Sequence, residues 1–157
     1  MKLFDCQHCG QVLYFENTQC ERCARILGYL PERTMLSALE PRGGDLWHAL
    51  AAPGEGLFRF CANAAYGACN WLVPADGPDT FCRACRLNRT IPDLNVPENI
   101  ILWQRLEAAK HCLVYGLLRF NLPVVSKFDD VHKGLAFDFL ADSGTPFQEG
   151  PQVITGH

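Results

Sequence analysis

Eight of the nine cysteines fall into two sets of four, Cys6-x2-Cys9-x10-Cys20-x2-Cys23 and Cys61-x7-Cys69-x12-Cys82-x2-Cys85. Thiolates two residues apart reach one ion from a single tight turn, and two such turns close a tetrahedron of sulfur around Zn²⁺. A full four-sulfur shell has no open position, so it builds structure rather than activating water. The spacing therefore assigns Cys6, Cys9, Cys20, Cys23, Cys61, Cys69, Cys82 and Cys85 as ligands of two structural zinc ions. A single iron also accepts tetrahedral sulfur and is the alternative metal. Pairing within each set closes shorter loops than an interleaved arrangement that shares Cys6, Cys9, Cys61 and Cys69, and so costs less chain entropy.

Nothing else in the chain spells a catalytic site. The five histidines, His8, His48, His111, His132 and His157, form no H-E-x-x-H, and neither G-x-S-x-G nor a Gly-rich phosphate loop occurs. His8 lies between two cysteines that already suffice, and is expected in solvent. Glu107 and His111 stand at i, i+4 and are expected to support a helix surface. Cys112, the odd cysteine, is expected as a buried core thiol. Arg83, Arg86 and Arg89 crowd the last cysteine pair; they are expected to offset its charge and to pair with Asp76, Asp79 or Asp93.

Those ligands need a folded body. At 157 residues, 48% hydrophobic and 11% aromatic, the chain has globular composition. The formal net charge of −3 falls to about −7 once eight thiols ionise around two Zn²⁺. That balance argues against a general nucleic-acid binder. Met1 to Asp5 leads straight into the first cysteine turn, with no secretory leader, and no apolar run approaches the ~18 residues of a membrane span. The expectation is a reducing cytoplasm, where paired C-x2-C motifs hold metal rather than disulfides.

Four stretches follow. Residues 1–30 read as a first zinc ribbon with strands around Val12–Phe15 and Ile26–Leu30. Residues 31–57 read as a linking segment whose apolar runs, Met35-Leu36 and Trp47 to Leu50, form strands or a helical turn. Residues 58–94 read as a second ribbon, with Phe58–Phe60 and Asn70–Val73 as hairpin arms. Residues 95–157 open with a helix start at Asn95-Val96-Pro97-Glu98. Leu102, Leu106, Ala109, Leu113, Leu117 and Phe120 then mark the apolar face of a helix about six turns long. Asn121 and Pro123 stop it. Val124-Val125, the alternation Leu135, Phe137, Phe139, and Gln152–Thr155 follow as strands. The expected class is α+β: two small β-rich zinc modules, then a long helix and the few strands of an incomplete domain. The end at His157 reads as a domain cut short or completed by another chain.

The words around the cysteines carry a likeness. Phe4-Asp5-Cys6-x-x-Cys9-Gly10, Phe60-Cys61-x-Asn63 with Cys69-Asn70-Trp71-Leu72, and Phe81-Cys82-Arg83-Ala84-Cys85-Arg86-Leu87-Asn88-Arg89-Thr90-Ile91-Pro92 resemble a bacterial family of zinc-binding metallopeptidases with an N-terminal zinc-ribbon region. The likeness runs on through Trp103–Glu107 and Gly134–Phe139. It implies a zincin-like catalytic part built around an H-E-x-x-H helix, which these residues do not contain, so no catalytic residue carries over. The expected function is a structural zinc-binding module serving a peptidase as an interaction or scaffolding region. Its expected partner is another protein or its own C-terminal domain. The alternatives are an active metallopeptidase once that part is present, and a nucleic-acid-binding ribbon using the three arginines.

Overall fold

The computed structural model describes residues 2–141. The expected strand Gln152–Thr155 lies outside them. The order is β1 (Phe4–Asp5), β2 (Val12–Leu13), β3 (Leu27–Leu30), β4 (Met35–Pro41), β5 (Trp47–Ala49), β6 (Phe58–Phe60), β7 (Leu72–Pro74), β8 (Asn88–Thr90), α1 (Pro97–Arg119) and β9 (Phe137–Asp138). The class is α+β, with zinc-ribbon modules and one long helix.

β1 and β2 form a short antiparallel hairpin, Phe4 opposite Leu13. β3 to β7 form an antiparallel sheet in chain order. Its ends meet: a bridge joins Tyr29 to Trp71, where the Tyr29 N–H donates to the Asn70 carbonyl at 2.9 Å. Closing a sheet on itself satisfies edge groups that would otherwise invite pairing with another chain. Gly28 permits the closure, because a Cβ there would meet the Leu72 side chain at 2.7 Å. Residues 31–57, read above as a linking segment, thus contribute two of the five strands. β4 turns Leu36 and Ala38 to one face and Leu39 to the other, as the pleat requires.

One face of this sheet buries Leu30, Leu39, Ala49, Phe58 and Leu72. The other buries Leu27, Tyr29, Leu36, Ala38 and Trp71 with the hairpin residues Phe4, Leu13 and Phe15 and with Val114 and Tyr115 of α1. Aromatic rings knit this second face: Trp71 lies 4.6 Å from Tyr29, and Phe15 lies 5.1 Å from Tyr29 and 4.6 Å from Tyr115. α1 is therefore the slab that holds the hairpin and the sheet together.

The helix begins and ends where its sequence directs. Val96 is extended at the N-cap and Pro97 is the first helical residue. Asn121 takes φ 53°, and the Leu122 and Asn121 N–H groups donate to the Leu117 and Leu118 carbonyls at 2.9 and 3.0 Å. This Schellman arrangement pairs the last orphan carbonyls. The buried face, however, is not the expected one. Leu102 (57% exposed), Leu106 (49%), Leu113 (51%) and Phe120 (79%) point to solvent, while Trp103, Glu107, Lys110, His111, Val114 and Tyr115 are buried. The leucine spacing marks a real stripe, but the described body packs on the opposite, more polar side. Among the described residues no helix is long and apolar enough to cross a membrane.

Candidate metal centres

The first set hangs from the β1–β2 hairpin. Cys6 follows β1, and the turn to Cys9 closes with the Gly10 N–H on the Cys6 carbonyl at 2.8 Å, Gly10 at φ 72°. The second turn repeats this from Cys20 to Cys23, with the Ala24 N–H on the Cys20 carbonyl at 2.8 Å. Here an alanine takes the left-handed φ of 57°. The Sγ atoms of Cys6 and Cys23 stand 3.7 Å apart, and those of Cys9 and Cys20 stand 3.6 Å apart. All four lie within 4.8 Å of one another. Cys6 and Cys20 are buried; Cys9 and Cys23 are half-buried on the outer side.

The second set lies between the ends of β6 and β7 and a turn before β8. The seven residues from Cys61 to Cys69 coil into a short 3-10 helix, Ala62–Tyr66, ended by Gly67 at φ 65°. That coil returns Cys69 to Cys61's side. Cys82 and Cys85 supply the remaining turn, and Cys69 and Cys82 Sγ stand 3.7 Å apart. Backbone N–H groups aim at the sulfurs: Trp71 to Cys69 at 3.3 Å, Cys82 to Cys61 at 3.3 Å and Cys85 to Cys82 at 3.4 Å. Cys61, Cys82 and Cys85 are buried and Cys69 is half-buried.

The sulfurs thus group set by set, not interleaved. Both sets fit zinc. Four sulfurs at about 2.3 Å from one ion have tetrahedral edges of about 3.8 Å, close to the separations here. The thiols also pull one another apart in acidity. In the first set burial opposes ionisation of Cys20, but the Cys23 and Arg22 N–H groups and the neighbouring thiols bring it to about 7. At Cys9 the Gln11 N–H acts downward, but burial and the other three thiols hold it at about 12. In the second set burial again opposes, yet hydrogen bonds from Cys61, Cys69, Cys85 and His111 hold Cys82 well below the thiol range.

α1 covers the second set from above, which the spacing of its residues had hidden. Glu107 and His111 are buried against the sulfurs rather than lying on an exposed helix surface. His111 Nε2 is 3.3 Å from Cys69 Sγ and 3.7 Å from Cys85 Sγ, and its Nδ1 donates to the Glu107 carbonyl at 2.7 Å. The Glu107 carboxylate lies 3.7 Å from Cys85 Sγ and pairs with Lys110 at 2.8 Å. The Asn88 Nδ2 donates to Glu107 Oε1 at 2.7 Å, and Lys110 Nζ donates to Asn88 Oδ1. Lys110 Nζ also stands 5.5 Å from the Phe139 ring centroid. A charge pair sealed from water is tolerable only with such complete partnering. The one signal for it in the sequence is positional: Trp103, Glu107, Lys110, His111 and Val114 share a face at spacings of 4, 3, 1 and 3.

The other candidates fall elsewhere. His8 is exposed. Cys112 packs against the core but is only half-buried; its neighbour is Glu16 Oε1 at 3.8 Å, and it belongs to neither sulfur cluster. Burial, with the Glu16 carboxylate, pushes its thiol up. All three arginines are paired. Arg83 meets Glu32 at 3.3 Å, and Arg86 meets Asp79 at 3.3 Å and Asp129 at 3.2 Å. Arg89 meets Asp138, whose carboxyl is held down to about 2 by that guanidinium and by Thr90. Only one of these partners, Asp79, is among the three expected.

Residues 3–96 match the family described as a zinc-ribbon domain, and the chain belongs to it. Residues 99–157 match the family described as "Putative zinc-binding metallo-peptidase". The division falls at the start of α1, so the helix that covers the second sulfur set belongs to the second match. Uncharacterized proteins of Mycobacterium bovis and of two Mycobacterium tuberculosis strains are each 32% identical over all 157 residues. The chain spans 40% of the length of these relatives. No solved structure matches it. The chain is a zinc-binding module, by its family and by its two sulfur clusters.

Proposed function

We propose that this module holds two structural zinc ions, one in each four-cysteine set, and serves as the rigid base on which a metallo-peptidase domain of the same polypeptide packs. The observation that carries the reading is the two-sided helix. The face of α1 toward the second sulfur set is buried and polar. The opposite stripe of Leu102, Leu106, Leu113 and Phe120 lies open among the described residues. Four large apolar side chains in one stripe, left in water, mark an interaction surface. The occupant is the remainder of the peptidase domain, because the peptidase match begins at this helix and the matched relatives run to more than twice this length.

Hydrolysis belongs to that occupant. A hydrolytic zinc needs about three protein ligands, an open position for water and a base. The eight cysteines close both shells, and Glu107 and Lys110 are committed to each other. Free thiols held as metal ligands suit a reducing, cytoplasmic setting. The arginines beside Cys82 and Cys85 are paired with carboxylates, which favours a protein partner over nucleic acid.

The test has two arms. Leu106→Asp with Leu113→Asp is made in residues 1–157 and in the longer polypeptide, with metal content, melting and binding of an apolar dye as readouts. The short chain is expected to keep its zinc and melting temperature and to lose dye binding. The longer one is expected to lose several degrees of melting temperature and its chelator-sensitive peptidase activity. Equal tolerance in both, or peptidase turnover by residues 1–157 alone, would overturn the reading.

A further inference from the structure

The second sulfur set has a fifth donor within reach. His111 is buried, and its Nδ1–H is committed to the Glu107 carbonyl at 2.7 Å. The ring is further fixed by Trp71, 5.1 Å away between centroids. Nε2 is therefore the nitrogen without a backbone partner, and it is aimed at the sulfurs, closest to Cys69 at 3.3 Å. Second-sphere groups that orient a metal-bound histidine act through its other nitrogen, as the Glu107 carbonyl does here. Cys69 is the half-buried member of its set. It lies with His111 and Gln104 on an open groove of about 600 Å³.

We propose that His111 is a reserve ligand of the second zinc site: when the Cys69 sulfur is removed, Nε2 takes its position and the site holds zinc with three sulfurs and one nitrogen. The proposal rests on zinc occupying the second set. Zinc accepts imidazole nitrogen at about 2.0–2.1 Å and thiolate at about 2.3 Å with no geometric preference of its own between them. The nitrogen already lies against the vacated corner, and its ring orientation is paid by contacts that exist in the complete site. Cys61 has no such deputy among the described residues: Nε2 stands closest to Cys69 at 3.3 Å and next to Cys85 at 3.7 Å, and the ring also reaches Cys82.

The test compares zinc content and metal-edge X-ray absorption in Cys69→Ser, Cys61→Ser, His111→Ala and the double variant Cys69→Ser/His111→Ala. Cys69→Ser is expected to retain two zinc ions per chain, one with a nitrogen neighbour. Cys61→Ser and the double variant are expected to hold one ion, and His111→Ala to hold two, all in sulfur. Cobalt substitution gives a second readout: Cys69→Ser retains a tetrahedral visible spectrum, shifted to the blue, and the double variant loses that share of the absorbance. If Cys69→Ser drops to one ion like Cys61→Ser, or the double variant keeps two, the reserve-ligand proposal is overturned while the two-zinc reading stands. If the unaltered chain holds no ion in its second set, both fall.

Discussion

The two sulfur sets each gather four cysteines and depend on different things. The first is local: Cys6 to Cys23 span a hairpin and two hydrogen-bonded turns, and no side chain of α1 approaches its sulfurs within hydrogen-bond distance among the described residues. Its ties to the body run through Phe4 and Phe15 on Tyr115 and through Gln7 in its first turn, whose amide donates to the Leu36 carbonyl at 3.1 Å and accepts from the Ala38 N–H at 2.7 Å. The second is tertiary. Its sulfurs come from the ends of two strands and a turn before a third, and a helix beginning after Val96 covers them with His111 and Glu107. A ligand set built by nearby turns gains order from its own loops. One built across the fold shares its order with everything that touches it.

The largest effects should come from the ligands. Cys82→Ser is expected to release one zinc and to lower the helical circular-dichroism signal, because α1 loses the surface it covers. Cys20→Ser should also release one zinc, yet leave that signal in place and fray only residues before β3. Structural zinc supplies about 10–16 kcal/mol in finger peptides, so either loss outweighs any single packing contact. Cys112→Ala, which belongs to neither set, should keep both ions. Equal loss of helix in the Cys20 and Cys82 variants would erase the distinction drawn here.

A middle-sized effect should separate the sites through the buried pair. Lys110→Met leaves Glu107 sealed without its cation, and removing one partner of a buried pair costs about 3–5 kcal/mol. Chemical denaturation should show this loss, together with faster exchange of zinc at the second set alone. Converting both residues, Lys110→Met with Glu107→Leu, should restore part of it, since an apolar pair carries no unpaired charge. A double variant no better than the single would show that Asn88 or the sulfurs need the carboxylate itself.

The smallest effect sharpens the comparison from the local side. Ala24 sits at φ 57° where the matching turn has Gly10. A left-handed residue with a Cβ is strained by about 1–2 kcal/mol, and glycine returns part of that as chain entropy. Ala24→Gly should therefore stabilise the first set by at most about 1 kcal/mol, seen as tighter zinc retention against a chelator, with no change at the second.

Where an element obeys rules written into neighbouring residues, the sequence alone located it. The cysteine pairs, the helix start at Pro97 and its stop at Asn121 are of this kind, because a metal turn, an N-terminal proline and a left-handed cap are closed by atoms a few residues apart. The strands around Met35 and Trp47 showed as apolar runs, but two- and three-residue pairings gave no sign that they complete a sheet joined at Tyr29 and Trp71. The face of α1 was decided by tertiary structure alone. Leucine spacing identifies an apolar stripe without saying what will meet it, and here Glu107, Lys110 and His111 satisfy one another and the sulfurs well enough to be buried instead. Burial of polar groups depends on partners as distant as Asn88 and Cys69, and no local pattern encodes such a partner. The spacing of the cysteines thus determined which sulfurs the fold gathers into each set, and only the fold determined that the second set and the apolar stripe lie on different faces of one helix.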